Sequence, residues 1–205
     1  MIQFKVDRKA IKAVEKQLGD LKKKAPAVLA RAVNATALET RKLLAAEAQK
    51  NYAIKSSGFN AKSGAKDFPS AMGIRKAKAK NPVAIIETKG APIELFKFKT
   101  SPASYKTGKN KPKKTKARVK AHGGMKNLIQ DGRWAFVTQF SSGHRTLVQR
   151  TSEKRYPIKN LLSPSIPQML GNEKEVYGIV KPQLDEMLQQ FIQREIDKEL
   201  AKGAK

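Results

Sequence analysis

The chain has 205 residues, enough for one domain with extensions or at most two small ones and too few for a multidomain machine. Lys and Arg number 43 against 17 Asp and Glu, a net charge of +26, which exceeds what solubility asks of a domain this size and points to a polyanionic partner. Hydrophobic residues make up 40% and cysteine is absent, so wholesale disorder, disulfides, thiolate metal sites and cysteine nucleophiles are excluded together.

The first residues carry charges every two or three positions and no apolar run of signal-peptide or membrane-span length, which predicts a soluble protein made in a cytoplasm. Ile11, Val14, Leu18 and Leu21 are spaced 3, 4 and 3 apart, one face of a short helix over 8–22 that Gly19 frays near its end. Pro26 suits a first helical turn, and no Gly or Pro follows until Gly58. The Ala- and Leu-rich stretch between, with Val28 or Leu29, Val33, Ala37 and Leu44 as its stripe, predicts a long helix over 26–54.

Residues 56–70 turn to Ser, Gly, Lys and Asn around Phe59 and Phe68, an exposed loop with two aromatic tethers. Segments 72–77 and 83–88 flank an Asn81-Pro82 turn signal and predict a β-hairpin, followed by a third extended segment over 92–98. Residues 99–116 contain two prolines, one glycine and no aliphatic side chain larger than Ala, and read as a flexible basic arm outside the core. Strands are expected at 117–122 and 134–140, the latter joined through Ser141-Ser-Gly-His144 to 145–150 as a second hairpin.

Residues 156–170 form a proline-punctuated strap. From 172 to 201, Val176, Ile179 or Val180, Leu184, Met187 or Leu188, Phe191, Ile192, Glu195, Ile196 and Leu200 recur at helical spacing, with Pro182 breaking the helix near Lys181. Hairpins rather than alternating strands and helices favour a single α+β domain, a mostly antiparallel sheet with both long helices on one side.

The positive charge is uneven. Residues 97–130 hold 11 basic and no acidic residues, whereas 131–205 hold 12 against 9. Lys97, Lys99, Lys106, Lys109, Lys111, Lys113, Lys114, Lys116, Arg118, Lys120 and Lys126 make up the excess. Lysine is a flexible point charge suited to phosphate contact, not to base readout, so any contact with DNA is to its backbone. The bland alternative is a solvated loop, or a peptide ordered on an acidic neighbour.

Catalytic signatures are missing. His122 and His144 stand 22 residues apart beside glycines and read as solvated loop side chains, not as a base or zinc ligands. Asp185, Glu186, Glu195, Asp197 and Glu199 alternate with Arg194, Lys198 and Lys202, which reads as ion pairing on a helix surface. Asp131 and Glu153 sit among Arg133, Lys154 and Arg155 and read as neutralised neighbours. Trp134 reads as core rather than as an exposed anchor. An enzyme is not expected, and neither is a cofactor or metal.

The ordered set resembles a phage family, the tail completion proteins of the minor tail protein Z type from lambda-like siphophages and prophages. It comprises an amino-terminal helix, an Ala/Arg-rich helix with Ala30-Arg31-Ala32-Val33-Asn34, a basic strand-rich middle, Ala135-Phe136-Val137 with a hairpin, then Arg155-Tyr156-Pro157-Ile158, further prolines and a last amphipathic helix. The resemblance implies a virion protein of the tail or neck, assembled in the host cytoplasm. It implies a homo-oligomeric ring, six-fold by expectation, beside the tail terminator, tail tube and head connector, joining tail to head and holding the DNA end. The prolines of the strap suit extended docking at a subunit interface or along the sheet edge, so Arg155, Tyr156, Pro157 and Ile158 are the expected interface residues, and the arm is the expected contact to DNA backbone or to a partner. A ring would point every arm the same way and make weak lysine contacts multivalent.

The competing class is a cytoplasmic nucleic-acid-binding protein of ribosomal or nucleoid type, for which such a charge is equally natural. A membrane-surface protein is disfavoured, because no helix gathers Lys/Arg on one face and Trp/Phe on the other.

Overall fold

The computed structural model describes residues 2–54, 72–110 and 112–203; the expected loop at 56–70 with Phe59 and Phe68, and Lys111 of the arm, lie outside them. The chain opens with β1 (Ile2–Lys5), α1 (Arg8–Leu18) and α2 (Ala25–Asn51), then β2 (Met72–Arg75), β3 (Val83–Thr88), β4 (Pro92–Glu94), β5 (Lys99–Ser101), β6 (Lys116–Arg118), β7 (Lys126–Asn127) and β8 (Ile129–Gln130). It closes with β9 (Arg133–Trp134), β10 (Phe136–Gln139), β11 (Arg145–Arg150), β12 (Ile158–Asn160), β13 (Leu162–Ser165), α3 (Ile166–Leu170), α4 (Tyr177–Val180) and α5 (Leu184–Gly203). Every strand pair among the described residues is antiparallel, so the α+β class holds, with the strands shared among several small sheets.

Two compact units emerge, the first made of Met1–Glu47, Asn60–Lys89 and Leu170–Lys205, the second of Ala48–Phe59 and Gly90–Met169.

In the first unit a three-stranded sheet runs in the order β1-β3-β2. Its register places Ile2 opposite Ile86, Phe4 opposite Ala84 and Ile74 opposite Ile86. Phe4, Met72, Ala84 and Ile86 are buried, while Gln3, Lys5, Gly73 and Arg75 on the alternate positions are exposed. One face of this sheet is therefore wet and the other is buried. Strand β1 was not expected; its alternation of Ile2, Phe4 and Val6 is the period-2 signal that marks it. The β2–β3 turn closes at 79–80, with reciprocal bonds between Lys78 and Asn81, just before the anticipated Asn-Pro.

Asp7 caps α1 by accepting from the Ala10 amide at 2.7 Å, and α1 stops at Gly19, where a 3-10 turn over Gly19–Lys24 leads into α2. Along α2, Ala25, Val28, Leu29, Ala32, Val33, Thr36, Ala37, Thr40, Leu44 and Ala48 are buried, each three or four positions from another of the set, as one face of a helix requires. The Thr36 hydroxyl meets its need inside the helix by donating to the Ala32 carbonyl. Asn34 ties α2 to the β2–β3 connection by exchanging two bonds with the Ala77 backbone at 2.7 and 3.0 Å. The carboxy-terminal helix breaks as Pro182 predicts, into α4, a 3-10 turn over Lys181–Gln183 and α5.

The second unit has its own core, built on Leu95, Ala117, Val137 and Leu147, with Phe96, Tyr105, Val119, Leu128 and Leu161 against it. The expected hairpin at 134–150 is realised as β10 with β11. β12 extends that sheet as its outer strand, and β13 pairs with β4. The extended segment over 92–98 keeps only β4 as strand and then coils into a 3-10 turn over Leu95–Lys97. The strand anticipated at 117–122 is limited to β6.

Candidate functional site

The basic arm is the connection of a hairpin. β5 pairs with β6 through Lys99–Arg118, Thr100–Ala117 and Ser101–Lys116, and β7 extends the ladder from β6. Residues 52–54, after α2, join the same region: the Ala53 amide donates to the Val119 carbonyl, and the Lys99 amide to the Ala53 carbonyl.

Both roots of the arm are anchored more firmly than composition suggests. Thr100 and Thr115 are buried, and the Thr115 hydroxyl donates to the Ala135 carbonyl at 2.7 Å; Tyr105 lies half-buried against the unit's core. A stretch without large aliphatics nonetheless contributes to the interior here, because threonine brings a methyl group and a hydroxyl that a nearby carbonyl can accept.

Between those roots the cations face water. Lys99, Lys106, Lys109, Lys113, Lys114, Lys116 and Lys120 are exposed, while Lys97 and Arg118 are half-buried. Among the described residues, none of Lys99, Lys106, Lys109, Lys113, Lys114 and Lys116 is ion-paired with a carboxylate. The second unit holds only three acidic residues, Glu94, Asp131 and Glu153. Glu94 accepts from or donates to His144 Nε2 at 2.9 Å according to their protonation, and Asp131 pairs with Arg133 at 3.0 Å.

Counted over its two sequence stretches, this unit holds 19 basic residues against those 3, a net charge of +16. The remaining 24 basic and 14 acidic residues leave the first unit at +10.

The strap places its residues differently from one another. Tyr156 is 61% exposed with the Arg155 guanidinium 5.6 Å from its ring centroid. The Pro157 carbonyl accepts from both the amide and the hydroxyl of Thr151. Ile158 is half-buried at the start of β12, on the outer edge of the sheet. The arm and strap residues thus belong to one unit without converging on one pocket.

The carboxylates of α5 do more than sequence spacing indicates. Lys198 does pair along the helix with Glu195, at 2.6 Å, yet Glu195 and Glu199 are buried and face α2 rather than solvent. Arg31 donates from Nε to Glu195 at 2.8 Å and from Nη2 to Glu199 at 2.7 Å, and Lys24 reaches Glu199 at 3.0 Å. Burial pushes the Glu195 carboxyl upward, but hydrogen bonds from Lys198 and Arg31 and their charges outweigh it and hold it below the usual range. For Glu199 the hydrogen bond from Lys24 leads, and it too is lowered. The cluster thus ties α5 to Arg31 of α2 and to Lys24 of the turn that precedes it.

Trp134 is half-buried, and His144 stacks with Phe140 at 6.3 Å between centroids. Among the described residues no group of three or more His, Asp or Glu could hold a metal, and no helix is long and apolar enough to cross a membrane.

A family model, prophage minor tail protein Z, matches residues 8–203. No curated protein and no solved structure matches the chain.

Proposed function

From the premise that this chain belongs to the prophage minor tail protein Z family, and so to the structural proteins of phage tails, we propose that it completes the head-proximal end of the tail. In this reading it forms a closed ring beside the tail terminator, tail tube and head connector, and its second unit turns the basic arm toward packaged DNA. The observation that carries the DNA-facing part is the +16 on the second unit together with six exposed lysines unneutralised by the described carboxylates. Lysines without arginine-type base readers hold backbone without reading sequence, which suits a lumen through which any DNA must pass.

A ribosomal or nucleoid role explains the charge equally well but not the family membership. Symmetry-resolved reconstruction of purified particles tests the proposal: a ring of this chain at the head-proximal end is expected. Its location at the distal tip, or its absence from particles, would overturn the reading.

A further inference from the structure

The strap carries a bare sheet edge. β12 is the outer strand of its sheet, with Gln149 opposite Lys159 and Arg150 opposite Ile158. The Leu161 amide donates to the Leu147 carbonyl at 2.9 Å, and the Thr151 amide to the Pro157 carbonyl at 3.2 Å. Bonded and non-bonded positions alternate along an antiparallel pair, so Gln149 and Lys159 form the bonded pair between those two. Ile158 and Asn160 therefore turn their N–H and C=O groups away from β11, to a side where no backbone group among the described residues meets them.

Two donors and two acceptors stand in a row there, bracketed in the chain by Tyr156 and Leu162, two of the large apolar side chains left exposed. Such a row on an edge strand is a template for a further strand. The surrounding charge selects the kind of strand. Lys154, Arg155 and Lys159 are exposed, and none of them pairs with a carboxylate among the described residues: Lys159 donates to Gln130 Oε1 at 2.8 Å, and the Arg155 guanidinium lies over the Tyr156 ring. Glu153 is the only acidic residue from 150 to 165.

We propose that β12 takes an extended acidic segment of a different protein as the fourth strand of its sheet, with a carboxylate beside Lys159 and apolar side chains beside Ile158 and Asn160. Main-chain bonds supply the docking, and the alternate side chains supply the choice of partner. DNA does not fit this edge, because its backbone offers acceptors only and cannot meet the Ile158 and Asn160 carbonyls. A second copy does not fit either. Symmetric pairing about Lys159 would set lysine against lysine on units of +16, and the other outer strands of the three-stranded sheets, β1, β2, β5, β7 and β10, contain no Asp or Glu. Glu94 of β4 is engaged by His144. In a ring, the strap would then face a different protein and not the next copy. The inference rests on this edge alone and stands whether or not the arm meets DNA.

The test uses the full ¹⁵N-labelled chain and a capped peptide of alternating valine and glutamate, with a valine–lysine peptide and a mixed-sequence DNA duplex as comparisons. The Ile158 and Asn160 amides should exchange quickly with solvent in the free chain. The glutamate peptide should shift their signals and slow their exchange about tenfold, while the lysine peptide leaves them in place, as does the duplex even where it binds the arm. N-methylation of one alternate set of peptide amides should abolish the effect, and of the other set preserve it. In Lys159→Glu the glutamate peptide should bind about fivefold more weakly and the lysine peptide should now shift the same two amides. Unmoved Ile158 and Asn160 signals, equal binding of the lysine peptide to the unaltered chain, or indifference to both methylation patterns would each overturn the proposal. Protection of both amides in the free chain that is lost on dilution would give the edge to a second copy and overturn it too.

Discussion

Arg31 and Glu195 stand 164 positions apart in the chain, yet Nε of the first donates to Oε2 of the second at 2.8 Å. The same guanidinium reaches Glu199, one turn further along α5, so its planar fork spans two carboxylates that a lysine could not hold together. Replacing Arg31 with Ala should lower stability by about 1–2 kcal/mol, at the low end for a charged hydrogen bond to a buried group because the Arg31 side chain keeps 44% of its surface in water. Urea unfolding checks this, with Arg31→Lys expected between the two; an unchanged midpoint in Arg31→Ala would mean that the fork adds nothing.

Acid should unfold the first unit through the same cluster. Both carboxyls titrate lower in the folded chain than in the unfolded one, so the folded state binds fewer protons. Their contribution is complete above the unfolded value and is lost as pH falls through the folded one. Thermal midpoints are expected to hold steady down to about pH 5 and then decline. The double variant Glu195→Gln/Glu199→Gln should be less stable at neutral pH and flatter below it. A decline just as steep in that variant would assign the acid lability to other groups.

Gly178 offers a steric test. A Cβ there would lie 1.8 Å from the Glu173 carbonyl oxygen, a backbone atom, so Gly178→Ala must displace the chain leading into α4 and should cost about 2–3 kcal/mol. Gly73→Ala meets nothing within 4 Å among the described residues and serves as the control. Differential scanning calorimetry should show a lowered transition for the first and little change for the second.

The strap can be separated from the fold. Tyr156 lies mostly in water, so Tyr156→Ala should change monomer stability by no more than about 0.5 kcal/mol. If the strap is the ring interface, the same variant should fail to enter tails while its circular dichroism and melting stay unaltered. Normal incorporation would remove the strap from the interface.

For the arm, replacing Lys111, Lys113, Lys114 and Lys116 with Gln should reduce the salt slope of DNA binding by roughly 0.9 for each phosphate no longer neutralised and impair DNA retention in particles. Fully infectious particles with unaltered retention would show the arm to be a solvated loop.

Local signals were legible in the sequence, and distant pairings were not. The helix break at Pro182, the length of α2 and the β10–β11 hairpin follow from residues within a few positions of one another. β1 is faint in the sequence because four residues of alternation carry little weight beside a helical pattern that starts at Arg8. Glu195 did stand in the apolar stripe of its helix, and that misplaced charge was the available clue to a partner across the interior. The partner itself, Arg31, lay too far along the chain for any spacing rule to find. Likewise nothing in the composition of 99–116 indicates that Thr115 would be buried, since its acceptor is the Ala135 carbonyl.

The anchoring of Tyr105 and Thr115 sets a limit on distance. Only the nine residues 106–114 lie between these roots, and a chain that leaves a surface and returns to it spends half its length going out. At about 3.3–3.6 Å per residue, the tip can stand no more than roughly 16 Å from its roots. The lysines of this segment therefore act as a fringe of fixed depth, not as a tether that can cast about for a target. In the proposed ring, whatever they neutralise would have to be brought to the second unit by the geometry of the assembly, and a wider lumen would put it abruptly out of reach.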